Sequence, residues 1–139
     1  MKITEFQGKN RFLSNFYASP IVVDGIEYPT VEHAYQAAKR PDMEYKTYIA
    51  GLRTPYAAKA AGNGAQSKNW HLVSLMLMYD FVKQKFTVHE ELKKQLLDTG
   101  DADLIEGNHW NDTFWGECPI GNWRKSFGSY FGKSTDGNS

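Results

Sequence analysis

Three side chains spaced to act together stand at Glu32, Gln36 and Lys39, within the stretch Tyr28-Pro29-Thr30-Val31-Glu32-His33-Ala34-Tyr35-Gln36-Ala37-Ala38-Lys39. Offsets of four and seven put all three on one face of a helix. A carboxylate, an amide and an amine arranged in this way can stabilise a developing cation, orient a polar group, and bind an anion or attack an electrophile. The same spacing also describes the solvated stripe of an ordinary surface helix, and spacing alone leaves both readings open. Two further carboxylates lie far along the chain. Glu106 follows Leu104-Ile105, and Asp112 sits in Asn111-Asp112-Thr113-Phe114-Trp115-Gly116. Acidic groups drawn from distant segments can share acid, base and cation-stabilising work when their surroundings separate their proton affinities.

Other chemistries find little support. His33, His71, His89 and His109 are far apart and form no paired ligand motif, and the single cysteine, Cys118, cannot build a structural zinc site. Neither a metal nor a cofactor is therefore expected. Ser14 and Ser74 lack the glycine-flanked turn of a serine nucleophile, and Cys118 has Glu117 beside it where an activating cation would be needed. Gly62-Asn63-Gly64 is too short for a phosphate-binding loop or a dinucleotide fingerprint, and reads as a helix stop.

The elements that must position the candidate groups are written into the chain around them. Thr30 is suited to cap a helix, Glu32 falls in the first turn where the positive end of the helix dipole favours a carboxylate, and Pro41 is expected to stop the helix after Arg40. Val31, Ala34, Tyr35 and Ala38 form the apolar stripe expected to face a core. Ahead of this helix, Pro20-Ile21-Val22-Val23-Asp24-Gly25-Ile26-Glu27-Tyr28-Pro29 reads as a hairpin with an Asp-Gly turn. Residues Ile3 to Phe6 read as a short strand, and Arg11 to Tyr17 as an irregular loop lining a pocket. Downstream, a helix is expected over Asp42 to Leu52, and a second over Tyr56 to Ala61 that starts at Thr54-Pro55. A long helix follows over Trp70 to Phe86. Its apolar residues lie on two faces, Trp70, Val73, Leu77 and Phe81 on one and Leu72, Met76 and Tyr79 on the other, which predicts a course through the middle of the domain. Thr87-Val88-His89-Glu90 reads as a capping box opening another helix through Leu97 that closes at Gly100. A short strand at Leu104 to Glu106, a shaped loop from Gly107 to Gly121 and a short helix over Trp123 to Phe131 complete the reading. The fold class is α+β: a mainly helical single domain over residues 1–132, with an N-terminal hairpin, a few short strands and no βαβ alternation. Lys133 to Ser139 forms a polar tail expected to be disordered.

Composition limits the partners. Sixteen basic residues balance sixteen acidic ones in 139, so no overall field points to nucleic acid or to an anionic membrane. One cysteine excludes an internal disulfide, no apolar leader follows Met1, and no apolar run approaches membrane-spanning length, which together predict a soluble cytoplasmic protein. Aromatic residues make up 14% of the chain, more than a small core tends to hold, so some rings are expected to line a pocket for a planar ligand.

Phe12-Leu13-Ser14-Asn15-Phe16, then Tyr28-Pro29-Thr30-Val31-Glu32-His33 with Gln36-Ala37 and Lys39, then Asn69-Trp70, Lys85-Phe86, Leu104-Ile105-Glu106, and Asp112 with Trp115-Gly116 together resemble the YbiA-like or NADAR family in order and spacing, from about Phe6 to Gly128. The segment from Gly121 to Gly128 departs from the family's pattern of a Gly-rich turn with an Asn before a Leu-Gly pair. The resemblance implies an N-glycosidase that hydrolyses the ribosyl C–N bond of a nucleotide-like substrate. Two small-molecule or nucleic-acid-linked classes follow from it: phosphoribosylamino intermediates of riboflavin biosynthesis, and ADP-ribose attached to guanine in nucleic acid. It further implies Glu32, Lys39 and Asp112 at the catalytic centre, and Asn15, Phe16, Trp70, Glu106, Trp115 and Gly116 around the substrate. Ser14, Gln36 and Asn111 of the same motifs join these as substrate-binding candidates. Either Glu32 or Asp112 is suited to the carboxylate facing C1′, and Lys39 either to binding a phosphate as a cation or to forming a Schiff base as a neutral amine. A non-catalytic module that binds ADP-ribose or a nucleotide is the alternative.

Overall fold

The computed structural model describes Lys2–Ile3, residues 8–66 and 68–98, and Asp103–Leu104. In chain order the elements are β1 (Lys2–Ile3), a 3₁₀ turn (Gly8–Leu13), β2 (Ile21–Val23), β3 (Ile26–Tyr28), α1 (Val31–Ala37), α2 (Met43–Ala50), α3 (Pro55–Gly62), α4 (Trp70–Val88), α5 (Glu90–Leu97) and β4 (Asp103–Leu104). The architecture is mainly helical with an N-terminal hairpin, as expected. The chain divides into two compact units, Asn15–Val88 and one drawn from Met1–Ser14 with His89–Ser139.

In the terminal unit β1 pairs in parallel with β4, Lys2 opposite Asp103 and Ile3 opposite Leu104. The expected strands at Ile3 to Phe6 and Leu104 to Glu106 are thus located one residue earlier where they are described. Phe12 and Leu13 are buried at the end of the 3₁₀ turn, where an irregular loop was expected. The amphipathic α5 buries Leu92 and Leu96. The expected capping box does not form. Helix α4 runs on through Val88, the Thr87 hydroxyl donates to the Lys83 carbonyl at 2.7 Å, and His89 precedes α5 without a side-chain cap. An intrahelical bond one turn back has satisfied the hydroxyl that would have capped the next helix. The expected stop at Gly100, the loop from Gly107, the helix over Trp123 to Phe131 and the tail lie outside the described residues.

The unit Asn15–Val88 is built around α1. The hairpin that leads to it pairs Ile21 with Tyr28, Val22 with Glu27 and Val23 with Ile26. Asp24 and Gly25 both adopt positive φ, 52° and 81°, the backbone of a tight turn whose twist matches that of the flanking strands. Ile21 and Tyr28 are buried while Val22 and Glu27 face outward, so the two-residue period is respected. Burial, with the nearby charge of Asp24 behind it, pushes the Tyr28 hydroxyl up to about 12. Gln84 of α4 donates to the Val22 carbonyl at 2.8 Å and holds the hairpin's edge.

Thr30, in extended conformation, caps α1 by accepting from the His33 N–H at 3.1 Å. All seven residues of α1 are buried, so the polar stripe that spacing left open between solvent and a pocket does not face open solvent at Glu32 and Gln36. The helix also ends at Ala37, short of the stop expected at Pro41. Tyr45 Oη donates to the Gln36 carbonyl at 3.0 Å and Lys46 Nζ to the Ala37 carbonyl at 3.3 Å. Pro41 has no N–H for the Ala37 carbonyl, and Lys39 and Arg40 donate only three residues back, to Gln36 and Ala37. The donors from α2 complete the pairing of these last carbonyls. Asp42 and Thr54 cap α2 and α3, and Pro55 takes the first position of α3.

The buried side of α4 is Ser74, Met78, Phe81, Val82, Lys85 and Phe86. Leu72 and Met76 are exposed at 66% and 69%, and Val73 is exposed as well. The expected course through the middle holds only for the second half of this helix. In the first half the apolar residues lie outside and a serine lies within.

Candidate active site

Glu32 occupies the first turn of α1 and is 7% exposed, with its N–H donating to the Asn15 carbonyl at 3.0 Å. One turn on, Gln36 is 3% exposed, and its Nε2 donates to Glu32 Oε2. The bond fixes one carboxylate oxygen along the helix face. A hydrogen bond donated to a carboxylate favours its charged form and sets the direction of its other oxygen. The Gln36 Oε1 and Asn15 Oδ1 atoms are buried and have no hydrogen-bond partner among the described residues. A buried acceptor left unpaired costs about 1–3 kcal/mol. The Gln36 oxygen, on the amide that holds the carboxylate, is an acceptor that a hydroxyl or amino donor of a ligand would satisfy.

Lys39 leaves the end of α1 and donates from Nζ to the Gly62 carbonyl, the last residue of α3, at 3.1 Å. Its Nζ lies 6.0 Å from the centre of the Tyr35 ring. Burial pulls the ammonium below the usual lysine range; the charge of Glu32 works against that shift and the charge of Lys59 adds to it. A lysine with a lowered proton affinity is closer to the neutral amine that nucleophilic attack requires, and is still a cation suited to phosphate.

Aromatic rings flank these groups. Tyr35 and Trp70, the first residue of α4, meet at 5.0 Å between ring centres. Phe16 meets the exposed Tyr56 edge to face at 4.7 Å. His33 is fully buried and does structural work. Its Nε2 donates to the Leu52 carbonyl at 2.9 Å, and its Nδ1 accepts from the Thr30 hydroxyl at 2.8 Å. The Leu52 carbonyl can only accept, which places the proton on Nε2. Burial holds the ring below the usual histidine range, opposed by the bond to Leu52. Both ring nitrogens are thus engaged by protein groups. No cluster of three or more His, Cys, Asp or Glu suited to a metal occurs among the described residues, and no described helix is long and apolar enough to cross a membrane.

Of the residues expected at the site, Asn15, Glu32, Gln36 and Lys39 come together around the start of α1 and the end of α3, with Phe16 and Trp70 in the same unit. Ser14, whose N–H donates to the Arg11 carbonyl at 3.0 Å, belongs to the terminal unit. Glu106, Asn111, Asp112, Trp115 and Gly116 lie outside the described residues. Two residues are more involved than the sequence indicated. Tyr35, assigned to the core stripe, meets both Lys39 and Trp70. Gly62, read only as a helix stop, touches both Gln36 and Lys39. Away from these groups, Lys85 is 1% exposed, with its Nζ 5.6 Å from the centre of the Tyr17 ring and 5.1 Å from that of Phe86. For Gly62, a glycine inside a helix's last turn was the available signal.

Comparison with known proteins places the chain in a family. The NADAR domain model matches residues 4–127. N-glycosidase YbiA of Escherichia coli strain K12 is 37% identical over 118 residues, covering 83% of this chain and 73% of that protein. An N-glycosidase of Nostoc punctiforme is 36% identical over 109 residues, 74% of this chain and 69% of its own. A riboflavin biosynthesis protein of Vibrio vulnificus is 36% identical over 122 residues, which cover 84% of this chain but 32% of that longer protein. The solution structure of Escherichia coli YbiA superimposes with a TM-score of 0.82 at 30% identity, over 100% of this chain and 91% of the other. A match across most of the chain, in both sequence and fold, makes this protein a member of the NADAR family, among its YbiA-like N-glycosidases.

Proposed function

We propose that the chain hydrolyses the C–N bond between a ribosyl C1′ and a base or aromatic amine, with Glu32 as the carboxylate that faces C1′. The observation that carries this reading is the burial of Glu32 with one carboxylate oxygen held by Gln36, an amide whose own oxygen is buried without a donor among the described residues. Cleavage of a ribosyl C–N bond builds positive charge at C1′ and negative charge on the departing nitrogen. A fixed carboxylate near C1′ lowers that barrier and orients the attacking water, as in glycoside hydrolysis. Gln36 holds the carboxylate, and Asn15 Oδ1 and Gln36 Oε1 accept from ribose hydroxyls or from an amino group.

Lys39 takes the substrate phosphate or, as the neutral amine, attacks the ring-opened sugar aldehyde. Its lowered proton affinity supports the second role and its position beside Lys59 the first. Asp112 is the proposed second carboxylate, and Glu106, Asn111, Trp115 and Gly116 are proposed to bind substrate, as the family resemblance implies. Phe16 and Trp70 offer faces to the base or the ribose.

Of the two substrate classes, the phosphoribosylamino intermediates of riboflavin biosynthesis are favoured by the name of the Vibrio vulnificus relative. ADP-ribose attached to guanine is the other class to be tested. Incubation with each, followed by separation of released amine or base from the sugar phosphate or ADP-ribose, distinguishes them. Release from neither, with tight binding of ADP-ribose, would replace this function with that of a binding module. Borohydride added during turnover separates the two roles of Lys39, since only the Schiff-base route leaves a covalent adduct on it.

A further inference from the structure

Gly62 stands in the last turn of α3, buried against α1. A Cβ placed on it would lie 2.0 Å from Gln36 Oε1, 2.9 Å from Cδ and 3.0 Å from Cβ. The space a side chain would need is filled by the Gln36 amide. That amide donates its Nε2 hydrogen to Glu32, and the carbonyl of Gly62 receives Lys39 Nζ. One residue without a side chain therefore touches the partner of the carboxylate with its Cα and the amine with its oxygen.

We propose that Gly62 is a positioning residue of this site: its bare Cα seats the Gln36 amide that orients the Glu32 carboxylate, and its carbonyl anchors Lys39. The inference rests on the role given to Glu32 above. Gly62 has no positive φ among the glycines that do, so the requirement comes from close approach and not from backbone conformation. The most severe obstruction, Gln36 Oε1, belongs to the far end of a flexible side chain, whereas Gln36 Cβ at 3.0 Å has to yield by a few tenths of an ångström. The fold can accommodate an added methyl group by turning the Gln36 amide aside with a small shift between α1 and α3. That movement breaks the bond to Glu32, so the damage falls on the chemistry more than on stability.

The test compares Gly62→Ala, Gln36→Ala and the double variant with the wild-type chain and Glu32→Gln, on whichever substrate class the wild type cleaves. Gly62→Ala is expected to lower kcat on the order of 10- to 100-fold with KM within about threefold, the loss that small misplacement of a reacting group produces. The acid limb of its rate profile should move to higher pH, because a carboxylate that has lost a donor takes up a proton more readily. In the Gln36→Ala background the same substitution should add little, since the obstructing amide is gone. The side-chain amide resonance of Gln36, read by NMR without substrate, should follow the titration of Glu32 in the wild type and cease to do so in Gly62→Ala. A wild-type kcat and acid limb in Gly62→Ala overturn the proposal, as does an undiminished loss in the double variant. If Gly62→Ala does not fold, the double variant must; failure of both also overturns it. Full turnover by Glu32→Gln removes the role of Glu32 instead, and the amide titration still reports whether Gly62 seats Gln36.

Discussion

Helix α1 and the first half of α4 reverse the usual relation between polarity and burial. The former carries a carboxylate, an imidazole and an amide among its seven residues and buries all of them. The latter carries Leu72, Val73 and Met76 and leaves them exposed. Apolar surface on a helix is common and by itself carries no message. Buried polar groups are expensive, and each must be paired or kept for use. The His33 ring is paired at both nitrogens, whereas the acceptors of Asn15 and Gln36 are not. Within α1, structural and chemical roles are separated by whether the polar atoms have found partners.

The contrast can be tested by substitution. Glu32→Gln keeps the shape of the most consequential group and removes its charge. Turnover should fall on the order of 10²- to 10³-fold with the melting temperature nearly unchanged; normal turnover in steady-state assays would sink the catalytic role. His33→Ala should behave in the opposite way. It takes the ring partner from the Thr30 hydroxyl hydrogen and from the part-buried Leu52 carbonyl and leaves a void where a fully buried ring stood. The cap bond from the backbone N–H at position 33 remains, and the substitution should cost about 2–4 kcal/mol in urea unfolding. Acid should weaken the same fastening less abruptly. The unfolded chain's histidine takes up its proton near 6.5, while the buried ring does so only at lower pH. The unfolded state therefore binds more protons between those values, and the urea midpoint should decline as pH drops below 6.5. His33→Gln should flatten that decline, and an equal slope in both would show that other groups cause it. The smallest effect belongs to α4. Leu72→Gln and Met76→Gln should each change stability by less than about 0.5 kcal/mol; a larger loss would mean that these side chains are less exposed in solution.

Much of the frame around the site was legible in the sequence. The Asp24-Gly25 turn and the capping residues Thr30 and Thr54 depend on one or two residues and local hydrogen bonds, so pattern reading reaches them. The grouping of Glu32, Gln36 and Lys39 was legible as a stripe, but its burial was not. Burial depends on what packs over a helix, and polar residues spaced for a pocket look the same as those spaced for water. The early end of α1 was hidden for a related reason: the side chains that cover its last carbonyls, Tyr45 and Lys46, come from the next helix. On α4, counting apolar residues gave two inner faces where one is buried, and on that one Phe81 is joined by Ser74 and Lys85, which an apolar count passes over. Gly62 was recognised as a stop signal by its type, while the contact that explains it is with Gln36, far away in sequence.

The seven residues of α1 are too few to hold a helix by themselves in water, where a stretch of that length does not repay the cost of starting its first turn. It persists because the hairpin and α2, α3 and α4 pack around it. The groups proposed for catalysis consequently have no partly folded counterpart. Before these elements have assembled, the chain holds the same side chains but no arrangement of them. Amide hydrogens within α1 should exchange with solvent only when the whole Asn15–Val88 unit opens, so that for this site the time spent folded and the time spent competent are the same quantity.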